Sequence, residues 1–251
     1  MSARQETSVP STLTHAGIHL AQELTDLLYP PRCPLCQKIL LREEKPICPD
    51  CRGELPWIRE PRCKKCGRPL EDDRTELCER CMRQTHFYRQ GQCTFVYTGK
   101  LRDSLLRMKY ENHREYISFF AQAMALSQGP FLERIGARTL VPVPLHPQKR
   151  RARGFDQCAL LCTALSELTG IEVCHDALLR VKQTSPQKGL DALRRRENLH
   201  GAFAVGKTVS LQEPVVIVDD IYTTGATIDS AAYTLIQAGI TDIWFIAVCS
   251  A

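Results

Sequence analysis

The stretch VVIVDDIYTTGAT, residues 215–227, decides the fold of this 251-residue chain. Its leading apolar residues predict a strand buried on both faces, and two acids, Asp219 and Asp220, follow at the carboxyl end. The turn TTGAT then opens a segment, TIDSAAYTLIQAG, in which apolar residues recur at helical spacing. A buried strand that leads through a tight turn into an amphipathic helix is typical of a parallel α/β sheet.

The segments around this stretch repeat the alternation of strand and helix. Strands are predicted at CTFVY, RTLVPVPL and IWFIAV, and helices at LRDSLLRMKY and ISFFAQAMAL. A basic loop is predicted after RTLVPVPL, and then a helix between Asp156, a suitable N-cap, and Gly170, just past its end. The fold class predicted for residues 91–251 is therefore α/β, with a parallel sheet covered on both faces.

The turn after the acids has the groups that a phosphate needs. It combines threonine hydroxyls, backbone N–H groups and the positive end of a helix dipole, and Gly225 lets the backbone approach a ligand closely. The residues predicted to hold the phosphate are Thr223, Thr224, Gly225, Ala226 and Thr227. Asp219 and Asp220 can accept hydrogen bonds from ribose hydroxyls, so the stretch predicts a ribose 5-phosphate site. The alternative is a strand that merely ends in two acids and an ordinary turn.

The cysteines predict two metal sites. Eight of the thirteen form four CxxC pairs within residues 33–81, and each half of this region has the pattern C-x2-C-x11-C-x2-C. Four sulfurs brought together by such a hairpin suit the tetrahedral geometry of Zn²⁺. The predicted ligands are Cys33, Cys36, Cys48, Cys51, Cys63, Cys66, Cys78 and Cys81. Because protein would fill every coordination position, both zinc ions are predicted to be structural.

Two alternatives concern the cysteines. A redox CxxC motif stands at the start of a helix in a βαβ unit, and four pairs among prolines, glycines and charges leave no room for one. The equal spacing of the pairs fits two sequential clamps and also a cross-braced arrangement, although each half closing on itself favours the former. The five other cysteines are expected to pack in the core as small apolar residues.

The segment PVPLHPQKRRARGFDQ, residues 142–157, places four cations close together in the chain. Lys149, Arg150, Arg151 and Arg153 are predicted to form a pyrophosphate-binding loop beside the ribose site. The alternative is a solvated basic loop that contacts nucleic-acid phosphates. His146 is a candidate general base near this loop, although a histidine beside prolines is more typical of a turn.

Two family resemblances follow from these segments. The acidic pair and hydroxyl-rich glycine turn of VDDIYTTGAT resemble the signature of type I phosphoribosyltransferases, in which an aliphatic residue usually stands at the position of Tyr222. A cysteine module followed by VPVPLHPQKRRARGFDQ, RVKQTSPQKGLDALRRRENLHGAF and VDDIYTTGAT is similar to the ComF family, which includes ComFC and GntX proteins. This similarity covers nearly all of the chain after the first thirty or so residues, and Tyr222 belongs to the family's own version of the motif.

The resemblance implies a type I phosphoribosyltransferase fold behind a zinc-ribbon head, with phosphoribosyl pyrophosphate and Mg²⁺ bound. The enzyme would be a glycosyltransferase whose acceptor the resemblance does not supply. The region 178–203 corresponds to a mobile flap, and the residues singled out in it are Arg180, Thr184, Gln187, Arg195 and Asn198. The implied setting is competence and DNA uptake, with single-stranded DNA and uptake proteins as partners.

A second hypothesis is a binding module that keeps the phosphate turn without catalysis and holds nucleotides or single-stranded DNA. Basic residues alternate with aromatic ones in WIREPRCKKC and CMRQTHFYRQ, where Trp57, Phe87 and Tyr88 can stack on bases. The competing interpretation is that these aromatic residues close the small cores of the ribbons.

Composition and charge set the remaining expectations. No apolar run reaches the roughly 20 residues that cross a bilayer, and the N-terminus lacks a signal-peptide pattern, so a cytoplasmic protein without membrane insertion is expected. The formal charge of +5 is a weak argument for nucleic acid, since two zinc ions held by eight thiolates would lower it to about +1. Three parts are predicted: an N-terminal segment 1–30 with a short amphipathic helix, a double zinc ribbon 31–90 and the α/β domain 91–251.

Overall fold

The computed structural model describes residues 30–181, 201–206 and 211–251. Its centre is a five-stranded sheet in which every neighbouring pair is parallel. The strands are, in chain order, β1 (Gly91–Val96), β2 (Thr139–Pro142), β3 (Glu172–Val173), β4 (Leu178–Arg180), β5 (Phe203–Val205), β6 (Val215–Tyr222) and β7 (Ile243–Ser250). The sheet order is β1-β7-β6-β2-β3, while β4 and β5 form a separate antiparallel pair. The α/β class is confirmed, and the arrangement is consistent with the phosphoribosyltransferase fold.

Helices connect the strands and cover the sheet. Those in the described ranges are α1 (Pro49–Gly53), α2 (Glu79–Arg83), α3 (Gly99–Tyr110), α4 (Tyr116–Ile135), α5 (Pro147–Arg153), α6 (Gln157–Thr169) and α7 (Ala226–Gln237). The predicted ends of α6 are confirmed. The Asp156 carboxylate accepts the N–H groups of Cys158 and Ala159, and Gly170 ends the helix in the left-handed conformation.

The side chains of β6 alternate between two buried cores. Val216 and Val218 lie in one core together with residues of α3, α4 and α6. Val215 and Ile217 lie in the other core, which contains the apolar face of α7. The strand is therefore buried on both faces, as its unbroken apolar sequence predicts.

The cysteine-rich region packs against both of these cores. We define residues 33–53 as the first ribbon and residues 61–88 as the second ribbon. Leu35 and Leu40 of the first ribbon lie in the core that contains Val216. Tyr88 and the cysteines of the second ribbon lie in the core that contains Val215 and α7. The two ribbons thus extend the apolar cores on opposite faces of the sheet.

One local prediction was wrong and another was too short. The predicted basic loop is the helix α5, which begins at Pro147 because proline suits the first helical position and the His146 side chain accepts the N–H of Gln148. The helix predicted over ISFFAQAMAL continues to Ile135 through Pro130. Phe131 and Leu132 are buried and extend the apolar face of the helix beyond Pro130. The free energy gained by burying them outweighs the backbone hydrogen bond that the proline cannot make.

Several predictions lie outside the described residues. These are the N-terminal amphipathic helix and the flap residues Thr184, Gln187, Arg195 and Asn198. In the ranges that the structure describes, no helix has both the length and the apolarity that a bilayer span requires.

Candidate functional site

The eight CxxC cysteines form two separate clusters. Cys33, Cys36, Cys48 and Cys51 make the first clamp, and Cys63, Cys66, Cys78 and Cys81 make the second. Within each clamp the four sulfurs lie within 4.8 Å of one another. The Sγ–Sγ distance is 3.7 Å between Cys36 and Cys48 and 3.8 Å between Cys66 and Cys78. Sequential pairing is therefore confirmed over the cross-braced alternative.

Both clamps fit a zinc ion. Four thiolates at about 2.3 Å from a central Zn²⁺ in tetrahedral geometry lie about 3.8 Å from one another, which agrees with the Cys36–Cys48 and Cys66–Cys78 distances. Four cysteine ligands fill the coordination shell, so these sites hold a structural zinc and leave no position for a substrate.

The two acids of β6 have different neighbours. Asp220 Oδ2 accepts hydrogen bonds from Lys109 Nζ at 2.9 Å and from Gln157 Nε2 at 2.7 Å. Asp219 Oδ1 accepts the backbone N–H of Asp220 at 2.8 Å and lies 3.7 Å from Cys158 Sγ. Both carboxyl groups are buried. One oxygen of Asp220 is thus committed to a buried ion pair, which sets its role apart from that of Asp219.

The electrostatics of the pair differ as well. Burial and the neighbouring charge of Asp220 raise the pKa of Asp219 to about 7, although Lys109 and Arg180 oppose the shift. Burial lowers the pKa of Lys109, but the attraction of Asp220 outweighs it and the net change is upward. The site therefore contains a charged lysine and a carboxyl group, Asp219, that titrates near neutral pH.

The raised pKa of Asp219 predicts a pH-dependent effect of Asp219→Asn on stability. Between about pH 4 and pH 7 the unfolded chain carries an ionised Asp219 while the folded chain keeps it protonated, so wild-type stability falls as pH rises through this window. Asparagine removes this loss. Relative to wild type, the variant should gain about 2–4 kcal/mol between pH 4 and pH 8 in urea unfolding experiments. A difference that does not change with pH would contradict the assignment.

The turn after β6 is closed by a glycine that no other residue could replace without strain. Gly225 has φ +83° at the N-cap of α7, a conformation that costs other residues energy. A Cβ there would lie 2.7 Å from the hydroxyl of Tyr222, which is buried and lies 2.8 Å from the Tyr88 hydroxyl. The Thr224 hydroxyl accepts the N–H of Ala226 at 3.4 Å.

The position of this turn makes it suitable for an anion. The first N–H groups of a helix have no partners within the helix, and here α7 begins four residues after the end of β6, the strand that carries the acids. Thr223 and Thr227 are partly exposed, whereas Thr224, Gly225 and Ala226 are buried. The structure therefore brings the predicted phosphate turn and the predicted ribose acids to one end of the sheet.

The predicted basic residues divide into two groups. Desolvation and the positive charges of Arg180 and Arg153 lower the pKa of Lys149, so these three cations are close enough to interact. Arg153 also donates a hydrogen bond to Gln157, which in turn donates to Asp220. Lys149, Arg150 and Arg151 are exposed on α5, whereas Arg153 is partly buried. Thus Arg153, through Gln157, connects the predicted cluster to the acids.

Lys109, the cation that pairs with Asp220, was not among the predicted site residues. Its spacing from Leu101 and Leu105 is i, i+4, i+8, which places it on the buried stripe of α3. A lysine in line with buried leucines indicates a buried ionic partner, since a charge is rarely buried alone. Gln157, which shares the same oxygen of Asp220, had no comparable indication in its sequence.

Comparisons with known proteins agree with this organisation. Residues 24–82 match the double zinc ribbon domain family. Competence protein F of Haemophilus influenzae is 38% identical over 106 residues, which cover 41% of this chain and 46% of that protein. DNA utilization protein YhgH of Escherichia coli K12 is 36% identical over 126 residues, 47% of this chain and 55% of that protein. Competence protein ComFC of Bacillus subtilis is 26% identical over 160 residues, 63% of this chain and 62% of that protein.

The matched regions span between about half and three fifths of these relatives. The order of the segments, the two cysteine clamps and the named relatives agree with one another. Together they show that the chain has a double zinc ribbon head and is similar to proteins of the ComF family.

Proposed function

We propose that the chain binds phosphoribosyl pyrophosphate at the carboxyl end of β6. The observation that carries this proposal is the juxtaposition of two buried acids, Asp219 and Asp220, with the glycine turn that opens α7. Carboxylates accept hydrogen bonds from a ribose diol, and a helix N-terminus with threonine hydroxyls binds a phosphate. A ribose 5-phosphate needs both groups side by side.

The cations near the acids are suited to bind the pyrophosphate group of this ligand. Arg153 and Arg180 repel Lys149, and Arg180 is also attracted by Asp219, so a pyrophosphate bound here would relieve the repulsion on Lys149. Carboxylate oxygens are ligands that Mg²⁺ prefers, so Asp219 and Asp220 suit a Mg²⁺ ion that accompanies the substrate. Such an ion, when bound, neutralises part of the pyrophosphate charge.

The reaction we propose for this site is transfer of the phosphoribosyl group. Displacement of pyrophosphate from ribose C1 passes through a transition state with oxocarbenium character, so the protein needs no nucleophile of its own. It has to position the ribose, neutralise the leaving group and exclude water. His146 is not part of this proposal, because its Nδ1 accepts the N–H of Gln148 and caps α5. A sensor that binds the same ligand without turnover would use the same residues.

The biological setting that we propose is the uptake or use of DNA. Relatives that bear the names Competence protein F, ComFC and DNA utilization protein YhgH support this setting. In this proposal uptake proteins and single-stranded DNA are the partners, and the protein acts in the cytoplasm.

Ligand binding tests the proposal directly. Phosphoribosyl pyrophosphate with Mg²⁺ should raise the melting temperature of the wild-type protein and bind in calorimetry. Thr227→Val should weaken binding about tenfold or more, because a hydroxyl that donates to a charged phosphate is lost. Thr234→Val on the same helix is the matched control, since the Thr234 hydroxyl donates to the Ser230 carbonyl two turns further along α7.

Two results would contradict the proposal. One is the absence of any melting-temperature shift at millimolar phosphoribosyl pyrophosphate with Mg²⁺. The other is equal weakening by Thr227→Val and Thr234→Val, which would show that the effect does not come from the phosphate turn.

A second candidate function is single-stranded DNA binding by the second ribbon. Phe87 is about half exposed, and its ring centroid lies 5.1 Å from that of Tyr233. An exposed aromatic pair suits base stacking. Tyr88 is buried and Trp57 packs on Phe95, so these two aromatic residues close the core. In this candidate function, Phe87→Ala should weaken single-stranded DNA binding in a fluorescence anisotropy titration, and binding should fall steeply with salt.

A further inference from the structure

The second ribbon contacts the proposed phosphate turn through two arginines. Arg68 and Arg80 both donate hydrogen bonds to the backbone oxygen of Thr223, at 2.9 Å and 2.8 Å. Arg68 also donates to the backbone oxygen of Ala251 at 2.7 Å. Two guanidinium groups therefore hold a single carbonyl in the middle of the site.

This contact fixes the direction of a neighbouring donor. The carbonyl of Thr223 and the N–H of Thr224 belong to one planar trans peptide, so they point in opposite directions. When the carbonyl is held toward the ribbon, the N–H of Thr224 is directed away from the ribbon. The arginines thus orient an N–H group that the proposed phosphate would accept from.

A second connection runs through a buried histidine. His86 Nε2 lies 3.5 Å from Sγ of Cys81, a ligand of the second clamp, and His86 Nδ1 lies 2.9 Å from Oδ2 of Asp229. The other oxygen of Asp229 accepts the backbone N–H of Phe87 at 3.1 Å. Asp229 belongs to the first turn of α7, where its own N–H donates to the Gly225 carbonyl at 2.8 Å.

The imidazole and the carboxylate are both almost fully removed from solvent. A metal-bound thiolate, an imidazole and a carboxylate in series resemble the outer-shell contacts that orient metal ligands in general. Here the series ends at Asp229 on α7, the helix that follows the phosphate turn. The position of the clamp therefore constrains the position of the first turn of α7.

The first ribbon also forms hydrogen bonds with the α/β domain, but it forms them with helices α3 and α4 rather than with the phosphate turn. Arg107 of α3 donates to the backbone oxygens of Pro34 and Leu35 at 2.9 Å and 3.2 Å. Gln37 donates to the Tyr116 hydroxyl of α4 at 3.0 Å. The first ribbon is therefore attached to helices α3 and α4, while the second is attached to the turn.

We infer that the second zinc clamp positions the phosphate turn, with Arg68, Arg80 and His86 as the positioning residues. The inference rests on the proposed function as far as it concerns ligand affinity. Its structural part, that the clamp holds residues 223–229 in place, does not depend on which ligand binds there. The two zinc sites consequently have different roles, and only loss of the second weakens the site.

Hydrogen exchange of the ligand-free full chain tests the structural part. The double variant Arg68→Gln with Arg80→Gln, and separately His86→Leu, should increase the exchange rate in the peptide that covers residues 223–229 by about tenfold. Arg107→Gln is the matched control, because it removes an arginine that joins the first ribbon to a helix. Arg83→Gln is a second control, since Arg83 lies on α2 with Arg80 but forms an exposed pair with Glu79.

Calorimetry with phosphoribosyl pyrophosphate and Mg²⁺ tests the functional part. The positioning variants should bind about tenfold more weakly than wild type, and both controls within about twofold. Zinc content should be the same in all variants, which separates positioning from loss of the clamp.

The outcomes distinguish the inference from the proposed function. Unchanged exchange in residues 223–229 in both the arginine variant and the His86 variant overturns the inference, whatever the ligand results. If the positioning variants exchange faster but the wild-type protein does not bind phosphoribosyl pyrophosphate, the inference is supported and the proposed function is contradicted. An equal effect of Arg107→Gln would also overturn the inference, because the two ribbons would then act alike.

Discussion

About two equivalents of zinc per chain are expected in the purified protein, and their removal by a strong chelator should unfold both ribbons. Structural zinc binds small modules with about 10–16 kcal/mol at neutral pH, which is comparable to the total stability of a whole domain. The helical elements of residues 33–83 are a 3₁₀ turn at Arg42–Glu44 and the five-residue helices α1 and α2, so the metal has to supply most of the local stability. Metal analysis and circular dichroism during chelation measure both effects.

Single cysteine variants give the control for this experiment. Cys48→Ser should lower the zinc content to about one equivalent, because it removes a ligand of the first clamp only. Cys174→Ser should leave it at about two, since Cys174 belongs to neither clamp. One equivalent in the wild type would show that one of the two clamps binds no zinc. A chelated protein with an unchanged spectrum would show that the metal is not structural.

Lys109→Ala is expected to destabilise the protein by about 3–5 kcal/mol, because it leaves the Asp220 carboxylate buried beside a second acid with the Gln157 amide as a partner but without its cation. Lys109 and Asp220 are both nearly buried, and their charged atoms are 2.9 Å apart. In a buried environment the cost comes from the uncompensated charge rather than from the lost attraction alone. Urea unfolding of the zinc-loaded protein measures the loss.

The same helix offers a matched control. Lys100 of α3 pairs with Glu54 at 2.6 Å, but both side chains are more than half exposed. Lys100→Ala should therefore cost less than about 1 kcal/mol. Adding Asp220→Asn to Lys109→Ala should recover part of the stability, since the stranded charge is removed. Equal losses for Lys100→Ala and Lys109→Ala would refute the buried pair.

The features that the sequence predicts well are local in the chain. The cysteine spacing predicts two closed clamps because each set of four ligands lies within nineteen residues, so the hairpin brings them together without help from the rest of the chain. The strand β6, its acids and the turn before α7 are likewise predicted from one continuous stretch. Apolar runs and caps determine these elements through short-range sterics and burial.

The features that the sequence does not predict depend on distant contacts. Arg68 and Arg80 reach Thr223 across 155 and 143 residues, and nothing in their local pattern distinguishes them from surface arginines. The connection of Arg153 to Gln157 also depends on where α5 packs. Its helical state was missed because prolines and charges suggested a loop, although a proline at the first position favours a helix.

The pairing of β1 with β7 sets an order of events during synthesis. All eight clamp cysteines precede β1, so both ribbons can bind zinc while most of the sheet is still to be translated. The neighbour that β1 needs in the sheet is β7, which follows every other strand of the described ranges in the chain. A chain interrupted before residue 211 would therefore carry a full set of metal and no phosphate turn. Zinc content thus reports that the two ribbons have folded. The melting-temperature shift with ligand reports that the sheet and the phosphate turn have formed as well.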